Sequence, residues 1–403
     1  MSHTQYICHG MTLSSRPSNR PRIQLAWVLS AFLALLGGCD RSPTAPHAEF
    51  IVAAGDSTYW VKSDRSGIRL RGSPMVLARL NGSFRELYVV DDDRSFENAL
   101  FVSQRLYQRD LVSGDSTEIF RDTLVAALSD LYATRHPDAR RLSPDEESGV
   151  EPSITATADV SVLGVHGPYL SVEYHADTSG VSDDSWHMTR HVVIDLRTGK
   201  QVTLAEVLTP TESSPVLRRA RTVYRETLDS VRRDPRAAAR RAARSLGRFR
   251  FDANSFSLTA PNGTLMIAFS APGQGIGGEG FTMPMRPIPV NAPAWWTDAR
   301  LALPTSTKER EEHWARDSYL VKAVYDTAAT PVRLSLVDST GREFEIGGVA
   351  APVHRIYWLD NPVLDRTHRA ALTRAFDEAA LYDDAARADA GRALSPTQLV
   401  ARR

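Results

Sequence analysis

The side chains best suited to chemistry lie between residues 175 and 191: His175, Asp183, Asp184, His187 and His191. Imidazole and carboxylate are the usual ligands of zinc, and they also serve as general acids and bases. His187 and His191 are four apart, so they share a face in either a strand or a helix. The chain around them reads as strand and loop with no fixed spacing to a third ligand. Surface or cross-strand histidines are therefore the expectation, with no metal site, no cofactor and no catalytic residue. No G-x-S-x-G elbow, H-E-x-x-H helix or P-loop occurs elsewhere. A hydrolase would need this cluster to converge in a cleft, whereas a non-catalytic binder would not.

The elements that position the cluster are organised around Arg190 to Val207, RHVVIDLRTGKQVTLAEV. Val193 and Ile194 favour strand, and Asp195 to Lys200 supplies Asp, Thr and Gly for a turn. Strand resumes at Gln201 and a helix begins near Leu204. Strand, glycine turn and strand recur at Arg109 to Phe120 and at Arg333 to Ile346, spaced too irregularly for a repeat protein. Met75 to Leu80 and Phe84 to Val90 alternate around Asn81-Gly82, a hairpin signature. Asp91, Asp92 and Asp93 follow; they lack the EF-hand glycine and glutamate and predict a solvated turn. Asp122 to His136 predicts a helix with Asp122 at its N-cap. Ser153 to Val165 and Tyr169 to His175 predict a hairpin turned at Gly167-Pro168. Pro215 to Phe251 is an arginine-dense helical stretch broken at Pro235. Strands are expected at Ser255 to Thr259, Thr264 to Phe269 and through residues 319–358, with a last helix from Pro362.

Gly273 to Gly280, GQGIGGEG, formally contains G-x-G-x-x-G. Pro284, Pro287 and Pro289 follow, so no helix can open there and no pyrophosphate site forms. So many glycines make a regular element entropically expensive. Gly273, Gly275, Ile276, Gly277, Gly278, Glu279 and Gly280 are therefore expected to rim a binding site. Trp295 and Trp296, beside prolines, are a candidate aromatic contact: such a pair either stacks a sugar or plugs a domain junction.

The chain has 403 residues, 42% of them hydrophobic, and zero formal net charge. Arg16, Arg20 and Arg22 precede an apolar run, Ile23 to Leu36, that is short for a membrane span and flanked like a secretory signal. It ends Leu36-Gly37-Gly38-Cys39, which resembles the lipobox of bacterial lipoproteins and implies lipidation of Cys39 and removal of residues 1–38. Removal would leave three more acids than bases, which argues against a nucleic-acid partner. The only other cysteine, Cys8, would leave with the signal, so no disulfide is expected. Residues 39–47 read as a tether to the membrane through the N-terminal lipid. Three units should follow: 48–137, β-rich with one helix; 152–292; and 312–403, strand-rich and ending in a helix.

From about Pro152 to Ala292, the strand and turn Ile194 to Leu204 and the late strand and glycine loop Leu265 to Gly280 resemble the RsiV-like domain of lysozyme-binding anti-sigma factors and peptidoglycan deacetylase accessory regions. The resemblance implies an α+β fold of antiparallel sheets with packed helices, and a ligand-binding role; lysozyme binding itself is not carried over. The expected function is that of a non-catalytic cell-envelope lipoprotein, facing the periplasm or exterior, that binds a protein or glycan partner. The alternative is a cell-envelope hydrolase or deacetylase with an unrecognised site.

Overall fold

The computed structural model describes residues 44–143, 152–180, 186–233, 235, 251–260, 264–271, 283–296, 300–303, 309–326, 329–359 and 364–390. Strand β1 (Ala48–Ala54) is apolar but for Glu49 and buried throughout, because it has neighbours on both edges. It turns at Gly55 into β2 (Ser57–Asp64), which pairs with β3 (Gly67–Ser73). Next come β4 (Val76–Leu80) and β5 (Ser83–Phe96), joined through Asn81 and Gly82 at φ 51 and 86. Positive φ at both positions is what a type I′ turn requires. Strand β5 pairs from Arg85 to Phe96 with β6 (Ala99–Asp110), and β7 (Ser116–Arg121) folds back on β6. Helix α1 (Leu124–Arg135) and the short β8 (Arg141–Leu142) follow.

The site-bearing strands are β9 (Ile154–His166), β10 (Tyr169–Ser179), β11 (Trp186–Asp195) and β12 (Lys200–Gln201). The start of β9 runs parallel to the start of β6, from Ala99 opposite Ile154 to Val102 opposite Thr157. This joins all nine strands from β4 to β12 into one sheet. Helices α2 (Leu204–Val207) and α3 (Pro210–Arg233) lead to a small sheet of β13 (Phe256–Thr259), β14 (Met266–Ala271), β15 (Met283–Pro284) and β16 (Ile288–Pro289). A five-stranded meander follows: β17 (Arg300–Leu303), β18 (Glu309–Arg316), β19 (Tyr319–Asp326), β20 (Ala329–Asp338) and β21 (Glu343–Val349). Strand β22 (Val353–Trp358) then returns to pair with β1, and α4 (Arg366–Ala390) closes the described chain.

Four apolar clusters hold these layers. One face of the nine-stranded sheet packs under α1 around Phe101, Leu106, Leu170, Val172 and Ile194. Part of its opposite face, at Tyr169 and Val193, is covered by α2, α3 and the small sheet. The β1–β3 sheet packs on the meander through Phe50, Val61, Val321 and Leu334, and α4 seals the other side of β1 with Leu372 and Phe376.

Three expectations are corrected. The α+β fold of sheets with packed helices is overturned: strands make up 53% of the structure and helices 20%, so the fold is sheet-dominated and its few helices serve as covers. The capping box Thr203/Glu206 opens helix α2, and the arginine-dense stretch is helix α3 as far as Arg233, residues 236–250 lying outside the described residues; both helices lie against a sheet. Asp91 to Asp93 do not form a turn. They lie within β5, where Gln104 bonds Asp91 and Arg105 pairs with Asp92 across the β5–β6 ladder. Residues 300–303 and 309–311, left between the expected units, are strand: Arg300 to Leu303 of β17 pair with Trp314 to Glu311 of β18, and Glu309 and Arg310 pair with β19. Parallel pairing joins β6 to β9, antiparallel pairing joins β1 to β22, and Ala45–Arg403 forms one compact unit.

Candidate functional site

Alternation along β10 decides which side chains can meet. Leu170, Val172, Tyr174 and Ala176 enter the main core, so Glu173, His175 and Asp177 emerge on the other face. Antiparallel register places His191 opposite Glu173, Thr189 opposite His175, and His187 opposite Asp177. On the other side β9 contributes Ser161, Asp159 and Thr157 to the same three rows. The result is a three-strand polar face on a sheet whose reverse side is apolar.

Two of its rows form a closed hydrogen-bonded ring. Nε2 of His175 donates to Oδ2 of Asp177 at 2.6 Å, and Nδ1 of His187 donates to Oδ1 of the same carboxylate. The two imidazole centroids are 4.1 Å apart. The remaining ring nitrogens, Nδ1 of His175 and Nε2 of His187, both reach the Thr189 hydroxyl, at 3.2 and 3.4 Å. Ligand atoms of His175, Asp177 and His187 all lie within 4.8 Å of one another. The Asp177 side chain is 47% exposed and that of His187 19%, so the ring is solvent-reachable at the carboxylate and enclosed at the imidazole.

Sequence reasoning singled out both histidines and missed Asp177. The signal was present as His-x-Asp on an alternating strand, but it becomes a ligand set only once the hairpin register sets His187 opposite Asp177. Asp183 and Asp184 lie outside the described residues. His191 does not join the ring: its Nε2 lies 3.2 Å from Oε2 of Glu173, and its Nδ1 is 3.3 Å from the Ser257 hydroxyl. The backbone N–H of His191 donates to Ser255 Oγ and to Ser270 Oγ, at 3.1 and 3.0 Å. The small sheet thus ends on His191, and the polar face continues beyond it.

Trp295 and Trp296 are both half-buried. Trp295 donates its indole N–H to the Val207 carbonyl at 2.9 Å and stacks edge-on against Tyr169, with centroids 5.0 Å apart. Trp296 packs beside His166 at the other side of the pair. The two rings join the β9–β10 turn to the short helix α2. Cys39 and the whole of Gly273, Gly275, Ile276, Gly277, Gly278, Glu279 and Gly280 lie outside the described residues; the chain on either side of that glycine segment is paired, Ser270 with Pro284 and Ala271 with Met283.

On the reverse face a half-open cleft of about 480 Å³ is lined by Phe120, Asp122, Tyr174, Met188, Arg190 and Val192. Asp122 accepts the N–H groups of Leu124, Val125 and Ala126 at 2.9, 3.0 and 3.2 Å, and the Tyr174 hydroxyl donates to it as well. Burial, and then this bond to a carboxylate, push the Tyr174 hydroxyl well above the usual phenol range. Asp122 is therefore a structural cap, its lone pairs committed to a helix terminus and a core tyrosine.

No family model matches the chain, and no curated protein matches it.

Proposed function

We propose that this chain is a lipid-anchored cell-envelope protein, held by Cys39, that binds a protein or glycan partner without turning it over. The polar face of β9, β10 and β11 is its binding surface. One observation carries the proposal: His191, singled out in the sequence, ties this polar face to β14, the strand that precedes the glycine-rich segment. Its backbone N–H bonds Ser270, which stands one residue before the paired end of β14 from which the glycine segment leaves. Glu173, His191 and the ring beyond them would meet the partner, with residues 273–280 as the rim. Residues 152–292 would then be an RsiV-like binding region built into a larger sheet.

The test compares capture from envelope extract by the full chain, by Glu173→Ala/His191→Ala and by Gly275→Ala/Gly277→Ala. Capture should fall in both variants while the melting temperature moves little. Undiminished capture by both would end the proposal. The second reading, a hydrolase or deacetylase, is favoured by one observation, the convergence of His175, Asp177 and His187. It requires release of acetate or of glycan or peptide fragments from envelope polymer by the purified chain, lost in His187→Ala.

A further inference from the structure

We infer that His175, Asp177 and His187 form a zinc site, with Thr189 as the outer partner that orients both imidazoles. The donor set is two imidazole nitrogens and one carboxylate oxygen, which suits zinc and disfavours magnesium and calcium, the all-oxygen ions. Zinc bonds of about 2.0–2.2 Å at tetrahedral angles set neighbouring ligand atoms roughly 3.4 Å apart. The 2.6 Å contact between His175 and Asp177 need open by less than about 1 Å to admit the ion, within reach of small side-chain rotations. Strand pairing supplies the rest, since Asp177 and His187 face each other directly and His175 stands two residues along the same face.

The Thr189 hydroxyl stands 3.2 Å from Nδ1 of His175 and 3.4 Å from Nε2 of His187, on the side of each imidazole away from the carboxylate. With zinc on Nε2 of His175 and Nδ1 of His187, the opposite nitrogens become N–H donors. The two lone pairs of Thr189 Oγ1 accept both. Metal-ligating histidines characteristically hold their second nitrogen this way. Three protein ligands leave a fourth position on the side where Asp177 is exposed, so the metal would be open to water or to a group from outside.

The site rests on the reading of this face as the functional surface, but its test needs no partner. The purified full chain, stripped with chelator and titrated with zinc alone against a chromophoric competitor, should take up one zinc per chain. Asp177→Ala and His187→Ala should abolish uptake, and His191→Ala, outside the ligand set, should retain it. Thr189→Val should keep the stoichiometry and weaken affinity by roughly 10–100-fold. Cobalt in place of zinc should give the intense visible bands of a four-coordinate site, absent in His187→Ala. Circular dichroism matching the parent checks that the variants fold. No uptake at micromolar free zinc, or stoichiometric zinc that survives His187→Ala with the fold intact, overturns the inference. Because no partner is present, failure here leaves partner binding standing, and loss of capture with zinc uptake intact sinks only the partner reading.

Discussion

His187 stands directly across from Asp177 in the β10–β11 register, and its Nδ1 donates to the Asp177 carboxylate. A cross-strand pair of this kind is fixed by backbone hydrogen bonds, so two residues ten apart in sequence are held together without a helix or a motif. His175, from the next row, brings a second imidazole onto the same carboxylate.

A zinc ion bound there should stabilise the fold through linkage. A ligand that binds only the native state at 100 times its dissociation constant contributes about 2.7 kcal/mol. The full chain with zinc in that excess should melt a few degrees higher than after chelator treatment, and His187→Ala should show no such difference. An equal rise in the variant would place the stabilising metal elsewhere.

Asp122 and Tyr174 offer a separate measure of how the sheet and α1 are joined. Asp122→Ala removes the acceptor of three helix N–H groups and leaves the buried Tyr174 hydroxyl without its partner. Loss of a cap costs about 1–2 kcal/mol and an unsatisfied buried donor about 1–3, so the sum should be roughly 3 kcal/mol. Tyr174→Phe removes only one donor from a carboxylate that keeps three others, and should cost about 1 kcal/mol. Urea unfolding of both variants reads the difference. Equal losses would show that the helix amides contribute little to holding Asp122.

Local alternation and turn chemistry made much of the fold legible. Asn81-Gly82, Gly167-Pro168 and the Asp195 to Lys200 turn each stand where the sequence predicts, whereas the N-cap of α1 is Thr123, one residue past the expected Asp122, whose carboxylate still accepts the first helix N–H groups. What could not be read is non-local. Nothing in Ala99 to Val102 announces a parallel partner at Ile154 to Thr157, and the buried run of β1 gives no hint of β22 some three hundred residues away. Charge also misled: Asp91 to Asp93 read as a turn because their partners, Gln104 and Arg105, are visible only once β6 is laid beside β5. The candidate site follows the same rule, for His175 and His187 were evident from residue type whereas Asp177 needed the register.

Asp195 closes the turn at the head of β11 and should make stability pH-dependent. Burial raises its carboxyl, but the Arg197 side chain and the Arg197 backbone N–H outweigh that and hold it below the usual carboxylate range. A carboxyl lowered in the folded state contributes stability above its unfolded pKa of about 3.9 and loses it as pH falls through the folded value. Asp195→Asn should therefore cost about 2 kcal/mol at pH 7, the worth of a buried charge-assisted bond, and progressively less below about pH 4. Arg197, half exposed, is screened by solvent, so Arg197→Ala should cost under about 1 kcal/mol. A stability gap between parent and Asp195→Asn that is unchanged at low pH would mean that ionisation of Asp195 plays no part.

Gly167 and Trp295 meet at the other end of β10 from the histidine ring. Gly167 has φ +59, and a Cβ built there would lie 2.9 Å from Cε3 and 3.2 Å from the carbonyl oxygen of Trp295. Alanine would suffer twice, from a left-handed backbone and from a ring it must push aside, while Trp295 is tied down by its bond to the Val207 carbonyl. Gly167→Ala should lose roughly 2 kcal/mol, about half from each source, and alter near-ultraviolet circular dichroism as the indole shifts. Zinc uptake should be unchanged, because the ligands sit at the far end of the strand. Trp295→Ala alone should cost about 3 kcal/mol through the cavity it leaves between Tyr169 and α2. Combined, the two changes should cost less than their sum, since removing the indole removes the clash. Strict additivity in urea unfolding would place all the strain in the Gly167 backbone and none in its contact with Trp295.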